Sequence, residues 1–419
     1  MTTQSEAAKP PVARFDAVIV GAGMVGTALA GLLAREGMRV ALVEAKEAPL
    51  HLDDVVGDIP AARVSALTPV SQRLLTHLGA WSAMATVRRV TPYRYMQVWD
   101  AEGSGHIHFS ADEAGTAVLG HIVENDITLA ALNGQVAKLP TVTRLDGARV
   151  SALQTTAGGR WLVLDDGRQL QTPLLVAADG ARSALRELAG ISVAEESMEQ
   201  EAVVTTVRCE QPHGATARQA FIGGRPLAFL PLTVNGDDRY CSIVWSTTSE
   251  HANELTGCAP EALGQALGEA FDHRLGRVVP VDSAYRFPLI QRHAKQYVQP
   301  NFALVGDAAH SIHPLAGQGV NLGLMDAAVL AEEVVAAWRR GAPWGSLATL
   351  SRYERRRRLD NSAMLGLMKG FKLLFGSHQP VLTLARNVGM SSMNQLVPLK
   401  RLVMRQATGE RGRLPASCR

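Results

Sequence analysis

The sequence predicts an α/β protein with a Rossmann-type nucleotide-binding domain, an inserted antiparallel-sheet domain and a C-terminal helical region. A strand, a glycine-rich turn and a helix follow one another near the N-terminus, as in a βαβ unit. Short strand-like runs at 228–232 and 240–246, separated by turn signals, predict the antiparallel sheet. After residue 302 the strand, turn and helix pattern returns, so we expect the nucleotide-binding domain to be discontinuous.

Composition limits the class of protein. The chain has 419 residues, of which 47% are hydrophobic and 19% charged, and this favours a folded chain with a large core over a disordered one. The four cysteines form no Cys-x-x-Cys pair, which argues against a disulfide framework, a zinc site and a dithiol centre. The N-terminus lacks a signal-peptide pattern, and no apolar run reaches the roughly 18 residues that span a bilayer. We therefore expect a cytoplasmic protein without bound metal.

The first motif is Gly21-Ala-Gly-Met-Val-Gly26, which follows an apolar strand and opens a helix. In this pattern Gly21 permits a tight turn, Gly23 lets a pyrophosphate approach the backbone, and Gly26 allows helix and strand to pack closely. Glu44 ends the next strand, where a carboxylate would hold the ribose of a dinucleotide. A purely structural glycine turn is the alternative. The predicted elements are a strand at 15–20, a helix at 24–35 and a strand at 38–43.

The second motif is a buried strand that ends at Asp179-Gly180, before a helix that begins near Ser183. Taken alone, this pattern is typical of a strand-to-helix turn in which Asp179 caps the helix.

The third motif is a strand that ends at Gly306-Asp307, followed by a glycine-rich loop that opens a long apolar helix ending near residue 336. The Asp307 carboxylate could accept hydrogen bonds from a polyol. The free N–H groups and positive pole of the helix, near Gly319 to Asn321, suit an anionic ring. A capped helix without a ligand is the alternative.

In this order and at these separations, the three motifs resemble those of FAD-dependent aromatic hydroxylases. Further stretches narrow the resemblance to the ubiquinone-biosynthesis hydroxylase family, nearest its 2-polyprenylphenol hydroxylase branch. These stretches are 63–67, 120–125, 229–232, 241–246 and 306–323. The resemblance extends from about residue 15 to residue 406.

The resemblance implies a set of FAD-binding residues. Within it the glycines of the first motif would bind the pyrophosphate, Glu44 the adenosine ribose and Asp307 the ribityl chain. Arg63 and Asn125 would lie on the flavin side, and Asp179 would serve both FAD and NAD(P)H. The full set is Gly21, Gly23, Gly26, Glu44, Arg63, Asn125, Asp179, Asp307, Gly317, Gly319, Val320 and Asn321.

The resemblance also implies the reaction. NAD(P)H would reduce FAD, O₂ would add to give a C4a-hydroperoxyflavin, and the ring of a polyprenylphenol would be hydroxylated. Hydroxylation at another ring position or of another lipophilic aromatic stays open, as does a flavin-bearing structural subunit of the biosynthetic complex. Because the chain carries one nucleotide fingerprint, we expect the nicotinamide to bind without its own Rossmann unit.

The antiparallel sheet is expected to cover the flavin and to enclose an apolar pocket. Phe229, Pro231 and Trp245 are its candidate walls, and ordinary core residues are the equal alternative. No catalytic acid or base can be assigned. Three histidines are left without a role: His121, His310 and His313.

The C-terminal region is basic. From Ser351 onward there are 14 Lys and Arg against 3 Asp and Glu, including four consecutive arginines at 355–358. A helical cap with a solvated basic face is one interpretation, and a surface for anionic lipid or an acidic partner is the other. A polyprenyl substrate would favour the second, with the inner face of a membrane and a multiprotein complex as partners. Nucleic acid is disfavoured because stacking aromatics are scarce.

These patterns predict the following division of the chain. Residues 1–13 are a flexible N-terminus, 14–95, 121–198 and 285–345 the FAD-binding domain, 96–120 and 199–284 the substrate-domain sheet, and 346–419 a basic helical region.

Overall fold

The fold contains helices and sheets in the predicted α/β arrangement. A computed structural model describes residues 12–311, 319–375, 400, 404–405, 408–410 and 412–419. The helices are α1 Met24–Arg35, α2 Leu52–Val55, α3 Pro69–His77, α4 Ala80–Thr86, α5 Ala111–Ala114, α6 Asn125–Val136, α7 Ala184–Leu188, α8 Ser249–Gly257, α9 Pro260–Ala270, α10 Gly319–Arg339 and α11 Leu347–Phe375. Short 3₁₀ turns occupy Gly306–Ala308 and Ala416–Cys418.

A six-stranded sheet carries the nucleotide-binding pattern. Its strands are β2 Ala17–Val20, β3 Val40–Val43, β9 Val142–Leu145, β13 Leu175–Ala177, β20 Val298–Gln299 and β21 Phe302–Leu304. The order is β20-β21-β13-β2-β3-β9, and all neighbours are parallel except β20 and β21. The central strands are buried, which explains their continuous apolar sequence. Because β21 lies beside β13, this sheet is built from distant parts of the chain.

The fold also contains two smaller sheets. One contains β1 Val12–Arg14, β10 Val150–Thr156, β11 Gly159–Leu164 and β12 Gln169–Thr172. The other contains β4 Val64–Leu67, β5 Thr91–Tyr93 and β8 Gly120–Glu124. Residues 12 and 13, predicted within the flexible N-terminus, are paired with β12, so the folded part begins earlier than expected.

The large sheet has nine strands. They are β6 Tyr95–Asp100, β7 His106–Ser110, β14 Val193–Cys209, β15 Thr216–Ile222, β16 Arg225–Val234, β17 Asp237–Thr247, β18 Val278–Pro280, β19 Tyr285–Ala294 and β22 His310–Ser311. The order is β22-β19-β14-β17-β16-β15-β6-β7, with β18 on β14, and within this sheet only β15 and β6 are parallel.

The predicted boundaries of this domain need correction. Residues 193–198 and 285–294 were assigned to the FAD-binding domain, yet they form the paired strands β14 and β19 of the large sheet. The reason is that β14 is 17 residues long and pairs with β19 on both sides of a register shift between Ser197 and Glu201.

The described part of the chain contains no helix with both the length and the apolar character required to cross a bilayer. α11 packs against α10. Before residue 400, the structure describes the C-terminal region only as far as Phe375. The apolar and basic positions between 376 and 399 that contributed to the predicted tail lie outside the described residues.

Candidate functional site

The three motifs meet at one edge of the six-stranded sheet. β2, β13 and β21 are neighbouring parallel strands, so the turns that follow them share the carboxyl edge, where such sheets bind ligands. A Cβ built on Gly21 would contact the Ala178 backbone. Val25 of the first motif lies against Gly306 and Gly323 of the third.

The first glycine turn leaves space at one position only. Gly21 has φ +103°, and a Cβ there would lie 2.3 Å from the Ala178 carbonyl oxygen. A Cβ on Gly26 would lie 1.9 Å from the Gly21 oxygen. A Cβ on Gly23 would meet no described atom within 4 Å. Gly21 and Gly26 therefore permit close packing, while Gly23 keeps the front of the helix open.

The N-terminus of α1 suits an anionic group. Its N-cap residue, Gly23, makes no side-chain capping hydrogen bond, and the first turn carries no acidic residue. Glu44 is held beside this turn, because its carboxylate accepts hydrogen bonds from the Ala22 N–H at 2.7 Å and the Lys46 N–H at 3.0 Å. The open N–H groups and positive helix pole can receive a pyrophosphate, with Glu44 at its side.

In the second motif, one carboxylate oxygen of Asp179 is hydrogen-bonded to the following helix and the other is unpaired among the described residues. Asp179 Oδ2 accepts a hydrogen bond from the Leu185 N–H at 3.1 Å, and Ser183 caps α7 through the Arg186 N–H at 2.9 Å. Asp179 Oδ1 is buried without a hydrogen-bond partner among the described residues, and burial raises the pKa of this carboxyl. Because such an atom is costly to leave unpaired, the site fits a ligand that donates to it.

The third motif places its carboxylate at the same edge. The Asp307 residue is exposed to solvent, but protein atoms surround its carboxyl group. Their desolvation of this group raises its pKa, and the nearby His310 and Arg63 only partly oppose the rise. Arg63 is exposed, with its guanidinium carbon 5.5 Å from the centre of the Phe287 ring. The Asp307 carboxylate is thus available to the hydroxyl groups of a ligand.

Residues of β4 and the start of α6 complete this side. The Asn125 N–H donates to the Arg63 carbonyl at 3.0 Å, and Asn125 Oδ1 accepts from Ser65 Oγ at 2.6 Å. The structure therefore places Asn125 next to Arg63, with its side-chain oxygen bound to the protein.

Asn321, predicted at the start of the helix that flanks the flavin, directs its side chain to protein groups. Its Oδ1 accepts hydrogen bonds from the Thr68 N–H at 3.0 Å and Ser71 Oγ at 2.7 Å, and its Nδ2 donates to the Ala66 carbonyl at 2.8 Å. The side chain therefore fastens the start of α10 to β4 and α3. Gly319 and Val320 open α10 as predicted, whereas Gly317 and His313 lie outside the described residues.

The predicted pocket walls face the wrong side of the large sheet. Phe229 and Trp245 lie in the apolar cluster beneath α8 and α9, where the Phe229 ring stacks on Phe271 at 3.7 Å. Pro231 pairs with Cys241 of the same cluster. Because successive side chains on a strand alternate between faces, these three residues are core residues and do not line a substrate pocket beside the motifs.

The opposite face forms an apolar crevice against the three-stranded sheet. Its lining includes Ala66, Tyr93, Met96, Ile122, Ala217, Gln219, Ala228 and Leu230. About 10 Å³ of it is open to a water-sized molecule. The crevice adjoins the motifs through Ala66, whose carbonyl binds Asn321. Burial raises the pKa of Tyr93 to about 12, so its hydroxyl keeps its proton at neutral pH.

Sequence reasoning missed two buried residues that support the site. Arg186 Nη1 donates to the Ala308 carbonyl at 2.9 Å and so joins the second and third motifs. Asp326 accepts from the Gly306 N–H at 3.0 Å. An aspartate among the apolar residues of α10 was the signal that could have identified Asp326.

His121 is a half-buried residue that packs against Trp81. Its ring packs edge to face on Trp81, with 4.8 Å between the ring centres. Its Nδ1 is buried without a hydrogen-bond partner in the described part of the chain. Burial lowers the pKa of His121 from 6.5 to about 4. It is therefore neutral at physiological pH.

This shift predicts a pH dependence of stability. The unfolded chain binds a proton at His121 near pH 6.5 and the folded chain only near pH 4, so the free energy of unfolding falls as the pH drops through this window. In His121→Phe the free energy of unfolding should fall less between pH 7 and pH 4, by at most about 3 kcal/mol. Urea unfolding of both proteins from pH 7 to pH 4 measures this difference, and equal slopes would contradict it.

Together these features fit a bound FAD. The glycine turn and the α1 N-terminus can hold its pyrophosphate, Glu44 its adenosine ribose and Asp307 its ribityl chain, and Asp179 has a buried oxygen that lacks a donor among the described residues.

Comparisons with known proteins agree with this geometry. The family described as FAD binding domain matches residues 14–365. The chain is 39% identical to the 3-demethoxyubiquinol 3-hydroxylase of Escherichia coli, over 93% of this chain and 97% of that protein. It is 37% identical to the ubiquinone hydroxylase UbiL of Rhodospirillum rubrum, over 94% and 89%, and 34% identical to the human ubiquinone biosynthesis monooxygenase COQ6, over 93% and 92%.

Solved structures show the same fold. The p-nitrophenol 4-monooxygenase PnpA of Pseudomonas putida has a TM-score of 0.76 at 19% identity, covering 96% of this chain and all of that one. A variant of HpxO from Klebsiella pneumoniae, complexed with FAD, has a TM-score of 0.71 at 19% identity, covering 93% and 99%.

Proposed function

Since the chain belongs to the FAD-binding-domain family and is an FAD-dependent monooxygenase, we propose that it hydroxylates the ring of a polyprenylphenol in ubiquinone biosynthesis. FAD, NAD(P)H and O₂ are the cofactors and co-substrates of this class. The relatives in E. coli, R. rubrum and humans all carry names that refer to ubiquinone hydroxylation or biosynthesis, which supports ring hydroxylation in that pathway.

The structural observation that supports the proposal is a narrow crevice in the apolar cluster beside the three motifs. It is lined largely by apolar side chains and adjoins the FAD site through Ala66. An apolar, water-poor site suits both a prenylated ring and oxygen transfer, which water would divert. Because only about 10 Å³ is open, the ring would enter by displacing flexible side chains such as Met96.

The chain's own residues orient the reactants. Bound FAD supplies the transfer of one oxygen atom from O₂ to the ring, with reducing equivalents from NAD(P)H. The α1 N-terminus and Asp307 would hold the cofactor at the carboxyl edge of the sheet. Tyr93 keeps its proton, so its hydroxyl can donate a hydrogen bond to the phenol oxygen, and Gln219 offers a second polar group in the crevice.

Product analysis tests the function. Purified holoenzyme is given NAD(P)H, ¹⁸O₂ and a short-chain polyprenylphenol, and mass spectrometry follows the ring. One ¹⁸O atom in the product supports the proposal. The E. coli relative favours 3-demethoxyubiquinol as a second candidate, which is assayed in parallel. If only 3-demethoxyubiquinol is hydroxylated, it takes the place of the polyprenylphenol as the substrate. If NAD(P)H is oxidised without substrate and neither compound is hydroxylated, both candidate substrates are contradicted.

A pair of variants on β16 tests the crevice. Ala228 faces the crevice and Phe229 faces α9, so Ala228→Leu should lower kcat/KM about tenfold or more by occupying the space of the ring. FAD binding should be unchanged. The control, Phe229→Leu, should lower stability but leave kcat/KM near the wild-type value. The reverse pattern would place the substrate on the helix-covered face.

We also propose that the exposed part of α11 meets a membrane surface or a partner of the biosynthetic complex. Arg355 and Arg358 are exposed, and Leu359 is 75% exposed. An apolar side chain close to two cations suits an anionic bilayer surface, at which a polyprenyl substrate would reside.

A further inference from the structure

A buried group of charged side chains lies directly behind the third motif. Its centre is Asp326 of α10, which is fully buried. Asp326 Oδ2 accepts hydrogen bonds from His310 Nε2 at 2.6 Å and from the Gly306 N–H at 3.0 Å. Asp326 Oδ1 accepts from Arg357 Nε at 2.7 Å. One carboxylate thus connects α11 to both ends of the turn that carries Asp307.

Arg357 is the buried member of the run of four arginines at 355–358, for which a solvated face and a lipid or partner surface were the two interpretations. It is 2% exposed, and its guanidinium also donates to the Leu322 carbonyl at 3.3 Å, Asn361 Oδ1 at 2.9 Å and Asp360 Oδ2 at 3.0 Å. Its donors are therefore committed to α10 and α11, so Arg357 itself belongs neither to a solvated basic face nor to a lipid-binding surface.

The turn itself is tightly constrained. Gly306 has φ +59°, and a Cβ there would lie 3.2 Å from the Val25 side chain of the first motif. Because Val25 limits the space at Gly306 and the Asp326 carboxylate holds the Gly306 N–H, the direction of Asp307 depends on where Asp326 is fixed.

The charges make this arrangement stiff. Burial alone would raise the pKa of Asp326, but His310 and Arg357 more than offset it and hold that pKa at about 2. The carboxylate is therefore ionised throughout the neutral range. A buried ionised group is stable only while its partners stay in place, so removing Arg357 would free Asp326 to move.

We propose that Arg357 and Asp326 are positioning residues for FAD, which set the Gly306–Asp307 turn from α11 and thereby control cofactor affinity. The proposal concerns the cofactor site alone, so it stands or falls independently of which ring is hydroxylated.

Two neighbouring arginines give a matched test. Arg357→Gln removes the buried contact, whereas Arg358→Gln changes an exposed side chain whose ion-pair partner, Glu354, is 3.9 Å away. FAD affinity is measured by fluorescence quenching on each apo-protein. The visible circular dichroism of the bound flavin reports how the protein orients it. Arg357→Gln should weaken FAD about tenfold and alter the dichroism, while Arg358→Gln should match the wild type.

Thermal unfolding of the apo-proteins separates positioning from stability. If Arg357→Gln unfolds at a lower temperature but binds FAD with wild-type affinity and dichroism, the pair is merely structural and the proposal is overturned. If Arg357→Gln does not fold, the double variant Arg357→Gln/Asp326→Asn removes both charges together and provides the same measurement. Wild-type FAD affinity in that variant would also overturn the proposal.

Discussion

Gly23→Ala should unfold at the wild-type temperature yet lose FAD, whereas Gly26→Ala should lose both stability and FAD. Gly23 has φ −70° and ψ −179°, which alanine adopts freely, and its Cβ would meet no described atom within 4 Å. That methyl would occupy the space through which a pyrophosphate approaches the α1 N–H groups. FAD affinity should fall by at least about tenfold, or about 1.4 kcal/mol.

Gly26→Ala meets the opposite situation. Its Cβ would lie 1.9 Å from the Gly21 oxygen, so the helix must move away from the strand. Such overpacking costs about 1–3 kcal/mol or more, because a backbone atom cannot rotate aside. Thermal unfolding of the apo-proteins and titration with FAD distinguish the two variants. If Gly23→Ala binds FAD as tightly as the wild type, the pyrophosphate does not bind at this turn.

Deletion of residues 355–419 should abolish FAD binding, in addition to any effect on a membrane surface. The deletion removes Arg357 and leaves the fully buried Asp326 without its guanidinium partner. Breaking a buried ion pair in this way costs about 3–5 kcal/mol. A simple truncation therefore cannot test lipid binding.

The double variant Arg355→Gln/Arg358→Gln provides that test. Both side chains are exposed, so the folded chain should keep its FAD and its unfolding temperature. Co-sedimentation with vesicles that contain anionic lipid should decrease, and the decrease should vanish at high salt. Sedimentation equal to that of the wild type would contradict the proposed membrane surface, and loss of FAD would show that these arginines belong to the interior as well.

Local sequence patterns predicted the nucleotide-binding part well. The helix at 24–35 has the predicted bounds, and the glycine, Asp179 and Asp307 turns follow the strands expected. Each of these features depends on neighbours in sequence, because turn geometry and helix periodicity are local.

The face of β16 could not be predicted for a physical reason. The strand reads Arg-Pro-Leu-Ala-Phe-Leu-Pro-Leu-Thr-Val, with apolar residues on both faces, since one face packs on α8 and α9 and the other on the three-stranded sheet. Without alternation the sequence does not indicate which face borders the crevice.

The run of four arginines posed a similar difficulty. Successive helix residues point about 100° apart, so four adjacent arginines cannot all share one environment. Which of them enters the core depends on the partner Asp326, 31 residues away in the chain. Only the tertiary structure shows that contact.

The order in which the strands enter the six-stranded sheet has a consequence for synthesis on the ribosome. β21 joins the sheet beside β13 only after residue 304, and Arg357 follows well after it in the chain. A nascent chain therefore exposes the apolar edge of β13 during much of translation. The edge of the sheet that carries all three turns is complete only after β21 has been synthesised, and until then the open edge of β13 is free to pair with another chain.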